Sequence, residues 1–230
     1  MCPELKIYPH VAIFMAILAS VSFLSSCTGS APQIQQTFWQ LNVFADKDTN
    51  RTYETLTLFV NLADEDGLED IDTIHLIHDA SELFWRLDEN SWQFIDTEGE
   101  AWYGSNQLTM HNYQAFPRGT YRLLIADKAG ENDRNEIYIG TESIEIKTIG
   151  FPSAKVQNQK IVINSQYQEH TIWILDDANQ AVKIFTSKNK TIPINSLITA
   201  RERQTATQGY LHYFNETSGY GLVYGPFLLK

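Results

Sequence analysis

The chain has 230 residues, 12% of them aromatic, two cysteines and a formal net charge of −11, from 17 Lys and Arg against 28 Asp and Glu. So acidic a chain is poorly suited to neutralise a phosphate backbone or to dock by charge on anionic lipid, and nucleic acid is excluded as an expected partner. The length allows one large domain or two small ones.

Taken in order, Met1–His10 is mixed, and Val11–Leu24 is apolar and uncharged. That run falls short of the ~20 apolar residues a membrane-spanning helix needs, and its length suits the apolar region of a signal peptide. Leu24-Ser25-Ser26-Cys27 follows at once. These four residues resemble the lipobox of bacterial lipoproteins. The resemblance implies a signal peptide over residues 1–26, cleavage before Cys27, and acyl chains on that cysteine that hold the chain at the membrane. It places the protein in the bacterial cell envelope, with the outer membrane as the expected site and its face left open. Cys2 would leave with the signal and Cys27 would be lipidated, so the mature chain would hold no disulfide and would depend on its apolar core. Residues 27–36, small and polar, read as a tether.

From Thr37 the apolar pattern alternates, which predicts strands. The clearest are Phe38–Phe44, Tyr53–Leu62, Thr73–His78 and Thr120–Ala126, with shorter ones at Leu83–Leu87, Trp92–Ile95, Glu136–Ile139 and Ser143–Ile149 and a further one at Gln107–Tyr113. Polar turns at regular spacing favour a sandwich over βαβ units. The stretch Phe116-Pro117-Arg118-Gly119-Thr120-Tyr121, followed by Asp127-Lys128-Ala129-Gly130, is similar to the E–F corner and F strand of immunoglobulin-like and fibronectin-like modules. That resemblance implies a Tyr121 ring in the core and its hydroxyl on nearby backbone. The expected fold is all-β: an Ig-like antiparallel β-sandwich over residues 37–149.

Gly150-Phe151-Pro152 interrupts the pattern and marks the expected boundary of a smaller C-terminal β-domain over residues 150–230. Its strand signals are Lys160–Ile163, Thr171–Leu175, Val182–Phe185, Tyr210–Phe214 and Gly221–Leu228. Ile194–Gln204 reads as a short helix capped by Asn195 or Ser196.

Two features suggest sites. In Asp64–Asp72 six of nine residues are acidic, and Asp64, Asp66 and Asp70 could offer oxygens to a hard cation, calcium being the candidate cofactor. The alternative is turn geometry, with Gly67 in an unusual backbone angle and Asp side chains on turn amides. Among the aromatics between Trp85 and Tyr113, Trp85 is expected in the core. Trp102 and Tyr103 are expected to be exposed and to form a ligand-binding pair. Both features are placed at the end farthest from the membrane. His75 and His78 lie three apart on a strand, so they face opposite ways and do not form a metal pair. No motif brings catalytic groups together. The expected function is a non-catalytic, lipid-anchored envelope module that contacts a protein or a glycan. The alternatives are a carbohydrate- or calcium-binding accessory module of an envelope machine, and an enzyme with a site between its two halves.

Overall fold

The computed structural model describes residues 29–97 and 99–229. The apolar run, the lipobox and the lipidation residue Cys27 lie outside the described residues. No helix among those described is long and apolar enough to cross a membrane.

The alternating stretches form strands, as the sequence predicts. In the N-terminal part these are β1 (Gln33–Asp46), β2 (Arg51–Ala63), β3 (Ile71–His78), β4 (Leu83–Leu87), β5 (Gln93–Thr97), β6 (Glu100–Thr109), β7 (Gly119–Asp127) and β8 (Asn132–Ile139). Beyond residue 150 come β9 (Ser153–Gln157), β10 (Lys160–Asn164), β11 (His170–Leu175), β12 (Ala181–Ser187), β13 (Thr191–Pro193), a helical turn α1 (Glu202–Thr205), β14 (Gln208–Asn215) and β15 (Tyr220–Leu228). They pair as an eight-stranded sheet of order β12-β11-β14-β15-β1-β2-β6-β5, a four-stranded sheet β4-β3-β7-β8 and a three-stranded sheet β13-β10-β9.

The first half is an Ig-like sandwich. The orders β1-β2-β6-β5 and β4-β3-β7-β8 are those of the A-B-E-D and C′-C-F-G sheets of that fold. Leu41, Leu56, Leu58 and Leu108 from one sheet meet Ile74, Leu76, Leu123 and Ile125 from the other in a single buried cluster. A second cluster forms where β10 and β13 supply Ile161, Ile163 and Ile192 against Ile172, Ile174, Leu211 and Phe227 of the large sheet. The large sheet runs through both parts because β1 pairs in parallel with β15, Asn42 opposite Gly221.

The Tyr121 corner forms as expected. The ring is fully buried, and the hydroxyl donates to the Pro117 carbonyl at 2.7 Å. Beside it is a lock that the alternation of β2 conceals. Glu54, buried on the core face of β2, takes a bidentate pair of bonds from Arg118 at 2.8 and 2.9 Å and accepts the Phe116 amide at 2.8 Å. His78 is buried with its ring 4.6 Å from that of Tyr121, while His75 is half-buried on the opposite side of the strand.

Several elements differ from expectation. β1 starts at Gln33, so residues 33–36 of the expected tether are strand; Ile34 packs on the sandwich core and its amide bonds Asp133 at 2.8 Å. Ser143–Ile149 alternates but forms no strand, only a 3-10 turn at Ile146–Thr148. Strand β6 occupies Glu100–Thr109, and His111–Tyr113, expected as strand, is a 3-10 turn. The expected helix at 194–204 is a 3-10 turn followed by α1. Its cap is Thr199, not Asn195 or Ser196: Thr199 Oγ1 accepts the Glu202 amide at 3.2 Å and Glu202 Oε2 accepts the Thr199 amide at 2.7 Å. That reciprocal pair is a capping box.

Candidate functional site

The eight-stranded sheet is rolled. Seven inter-strand steps separate β5 from β12, which would set these strands about 34 Å apart in a flat sheet. Yet residues of both line one groove of about 880 Å³. On β5 the consecutive residues Gln93–Asp96 all border it, so it is the strand's open edge, not one face, that looks into the groove. At one end the roll closes over Leu175, Tyr210 and Val223, packed with Phe44 and Trp173.

The walls of the groove are mostly apolar. Phe38, Phe59, Trp102 and Trp173 line it, with Ile95 and Ile184 on the two terminal strands. Phe38 and Ile184 are exposed at 48 and 56% of their surface, so this ring and this branch face solvent instead of a core. The floor is polar and tightly bonded. Phe38, Gln40, Asn42 and Phe44 share one face of β1, as the period of a strand requires. The Gln40 amide donates to Asn42 Oδ1 and lies 2.9 Å from His212 Nε2, and Asn42 Nδ2 donates to Thr57 Oγ1 at 3.1 Å. With the Gln40 amide in this orientation its nitrogen donates to His212 Nε2, the tautomer with the imidazole proton on Nδ1. The imidazole stacks on Trp173, centroids 5.2 Å apart and planes 15° from parallel. Desolvation holds its pKa down at about 4. Gly221 on β15 leaves the room for this cluster. A Cβ there would press on Asn42 Oδ1 and would stand 2.7 Å from both Gln40 Nε2 and His212 Nε2.

Of the expected aromatic pair, only Trp102 belongs to the groove. Tyr103 is buried at 9% exposure in the sandwich core, where Trp92 and Phe94 pack on it. The physical reason is the strand itself: neighbours on β6 point to opposite faces, so the two side chains cannot form one surface. Trp85, expected in the core, packs against it and is half-buried. It stacks on Phe116 at 5.2 Å and donates its indole N–H to the Thr109 carbonyl at 2.8 Å. A broader depression of about 1070 Å³ beside it is lined by Arg51 and Tyr113, which are engaged with each other by a cation–π contact of 5.1 Å.

The acidic stretch is organised as a turn. Asp64 Oδ1 accepts the Asp66 amide at 2.9 Å, Asp66 Oδ2 accepts the Ser30 amide, and Gly67 takes φ 110°. The Asp70 carbonyl accepts the Lys128 amide at 2.9 Å. Among the described residues no three His, Cys, Asp or Glu side chains gather as metal ligands, so Asp64, Asp66 and Asp70 do not converge on a calcium ion. Asp64 Oδ2 is the single buried oxygen of the three without a partner, and a hard cation asks for six to eight. The turn also lies at the end of the sandwich where the described chain begins, bonded to Ser30.

The sequence matches no protein-family model and no curated protein. Solved structures similar to the chain include Tp47, the 47-kilodalton lipoprotein of Treponema pallidum, at 10% identity and a TM-score of 0.33, over 89% of this chain and 52% of that one. Another is the dimeric latent PorU of Porphyromonas gingivalis, at 11% identity and a TM-score of 0.33, over 86% of this chain and 20% of that one. The chain spans about half the length of the first and a fifth of the second. Likeness at that level assigns neither ligand nor activity, and the groove stands on its own geometry.

Sequence reasoning missed the groove because its floor joins Gln40 and Asn42 to His212 across a pairing of β1 with β15 that no local pattern announces. One signal was available. Gln40 and Asn42 interrupt the face that Phe38 and Phe44 would otherwise make apolar, and polar residues in such a place need partners.

Proposed function

We propose that the protein is a non-catalytic binding module of the bacterial cell envelope, anchored through lipidated Cys27, that takes a protein or glycan partner in the groove of its rolled sheet. The anchor rests on Leu24-Ser25-Ser26-Cys27. The binding role rests on one observation above all: an aromatic-walled groove whose floor presents Gln40 and His212, with Gln40 bonded to the buried Asn42 behind it. Apolar walls supply area, and a few fixed polar groups supply orientation, which is the usual composition of a binding site. His212, neutral and tied to Gln40, serves there as a hydrogen-bonding group and not as a proton carrier.

Each half has its own test. Labelled palmitate is expected to enter the wild-type protein expressed in a bacterial host and not a Cys27→Ser variant, which should leave the membrane fraction; a membrane-bound variant would overturn the anchor. Tryptophan fluorescence, titrated with chitin oligosaccharides, peptidoglycan fragments and a peptide panel, is expected to respond to at least one class, with Trp102→Ala weakening that response at least tenfold. Silence toward every class would remove the binding reading.

A further inference from the structure

The groove lies between β5 and β12, the two strands that end the large sheet among the described residues, and from this we infer its occupant: an extended polypeptide segment carrying a Lys or Arg, which adds as a ninth strand between β5 and β12. The inference rests on the binding reading above and specifies the partner.

Four observations carry it. First, among the described residues β5 and β12 end the sheet, and each pairs with another strand on one side only, β5 with β6 and β12 with β11. An open strand edge presents a row of N–H and C=O groups that a further strand can satisfy. Here Gln93–Asp96 of one end strand and Ala181 and Ile184 of the other border the same groove.

Second, the strand directions match. Between β5 and β12 the sheet makes six antiparallel pairings and one parallel pairing, β1 with β15. An even number of reversals leaves β5 and β12 running the same way. A single guest strand can therefore be antiparallel to both, the slightly stronger form of pairing.

Third, the size matches. A sheet repeats about 3.4 Å along a strand, about 4.8 Å between strands and about 10 Å between faces, so five extended residues take roughly 820 Å³. The groove offers about 880 Å³ and β5 is five residues long.

Fourth, the charge selects. The formally charged side chains lining the groove are Asp96 and Glu100, both acidic and both on the β5 side. Glu100 Oε2 lies 3.3 Å from Trp102 Nε1, so a carboxylate and an indole stand together. A Lys or Arg from the guest strand would meet the carboxylate of Glu100 and the face of Trp102. Alternate apolar side chains of the guest would lie against Phe38, Trp173 and Ile184.

The test uses the full-length protein and synthetic seven-residue peptides of alternating Val and Thr, with or without a central Lys, each paired with a twin N-methylated on alternate amides. Calorimetry is expected to show the Lys peptide binding, the N-methylated twin at least tenfold weaker, and a Glu100→Lys variant likewise at least tenfold weaker for the Lys peptide. Hydrogen exchange is expected to slow at both Gln93–Asp96 and Ala181–Ser187 on binding. An N-methylated twin that binds equally well, or protection along one edge alone, would overturn the inference. Chitin oligosaccharides that bind with Trp102 dependence while every peptide fails would also overturn it and leave the broader binding role standing. Failure of both classes would remove the binding role itself. Slowed exchange at both edges that rises with protein concentration, without peptide, would name a second copy of the chain as occupant and overturn a foreign strand.

Discussion

His212 gives the groove its pH dependence. Its folded pKa of about 4 lies below the ordinary value of 6.5, so the folded protein resists the proton that the unfolded chain accepts. Between those two values the unfolded state binds more protons. Stability is therefore complete above about pH 6.5 and is lost as pH falls toward 4, by about 3 kcal/mol from this residue. Urea unfolding followed from pH 7 to pH 4 is expected to show that fall, and His212→Gln is expected to flatten it in part. Part of the slope should persist, because desolvation also lowers the pKa of His75 and His170 with the same sign. Gly221 is the second residue on which the floor depends. Gly221→Ala would push a methyl group into the Gln40–Asn42–His212 cluster, and is expected to cost about 1–3 kcal/mol, as other overpacked sites do, with a lowered melting temperature as the readout. None of these three side chains is signalled by a motif. Each sits in an ordinary strand, and only pairing across the fold joins His212 to Gln40.

At the scale of elements, local pattern and distant partners divide the fold between them. The alternation of Tyr53–Leu62 and Thr120–Ala126 was enough to place β2 and β7, and Pro117 with Tyr121 was enough to place the corner, because both signals are local. Glu54 was not legible: a charged residue in an alternating strand reads as surface until Arg118 is brought against it. Removing Arg118 would leave a carboxylate that is 1% exposed without its counter-charge. Arg118→Met is expected to cost about 3–5 kcal/mol by denaturant titration, and the charge-matched Arg118→Lys to recover part of that loss. Ser143–Ile149 failed in the opposite direction: it has the alternation of a strand but pairs with no neighbour, and period alone does not supply one. The acidic turn belongs here too. Asp64 and Asp66 are spent on the Asp66 and Ser30 amides, so calcium is expected to leave the melting temperature unchanged. A rise of several degrees on titration with calcium would show a site that these bonds do not predict.

The whole molecule turns on the contact between β1 and β15. Composition and strand spacing made an all-β chain legible, and Gly150-Phe151-Pro152 suggested where to divide it. Nothing in either half announces that Asn42–Asp46 lies beside Gly221–Gly225, because the two segments are separated by most of the sequence and a parallel pair leaves no hairpin signal. That one pairing makes a single sheet of eight strands, rolls it, and brings the two edges to the groove. It also half-covers Phe44, which packs with Tyr210 and Val223 of the second half. A chain ending at residue 149 would keep the sandwich core, whose buried members all precede residue 140. It would expose Phe44 and strip β1 of its partner along five residues, Asn42 to Asp46. An uncovered edge beside an uncovered aromatic ring is a template for pairing with another chain. The truncated chain is therefore expected to melt at a lower temperature than the full chain and to self-associate in size-exclusion chromatography with light scattering, while the full chain unfolds in one transition. A truncated chain that stays monomeric at the full chain's melting temperature would show that the sandwich stands without the second half, and that the shared sheet adds a groove but no stability.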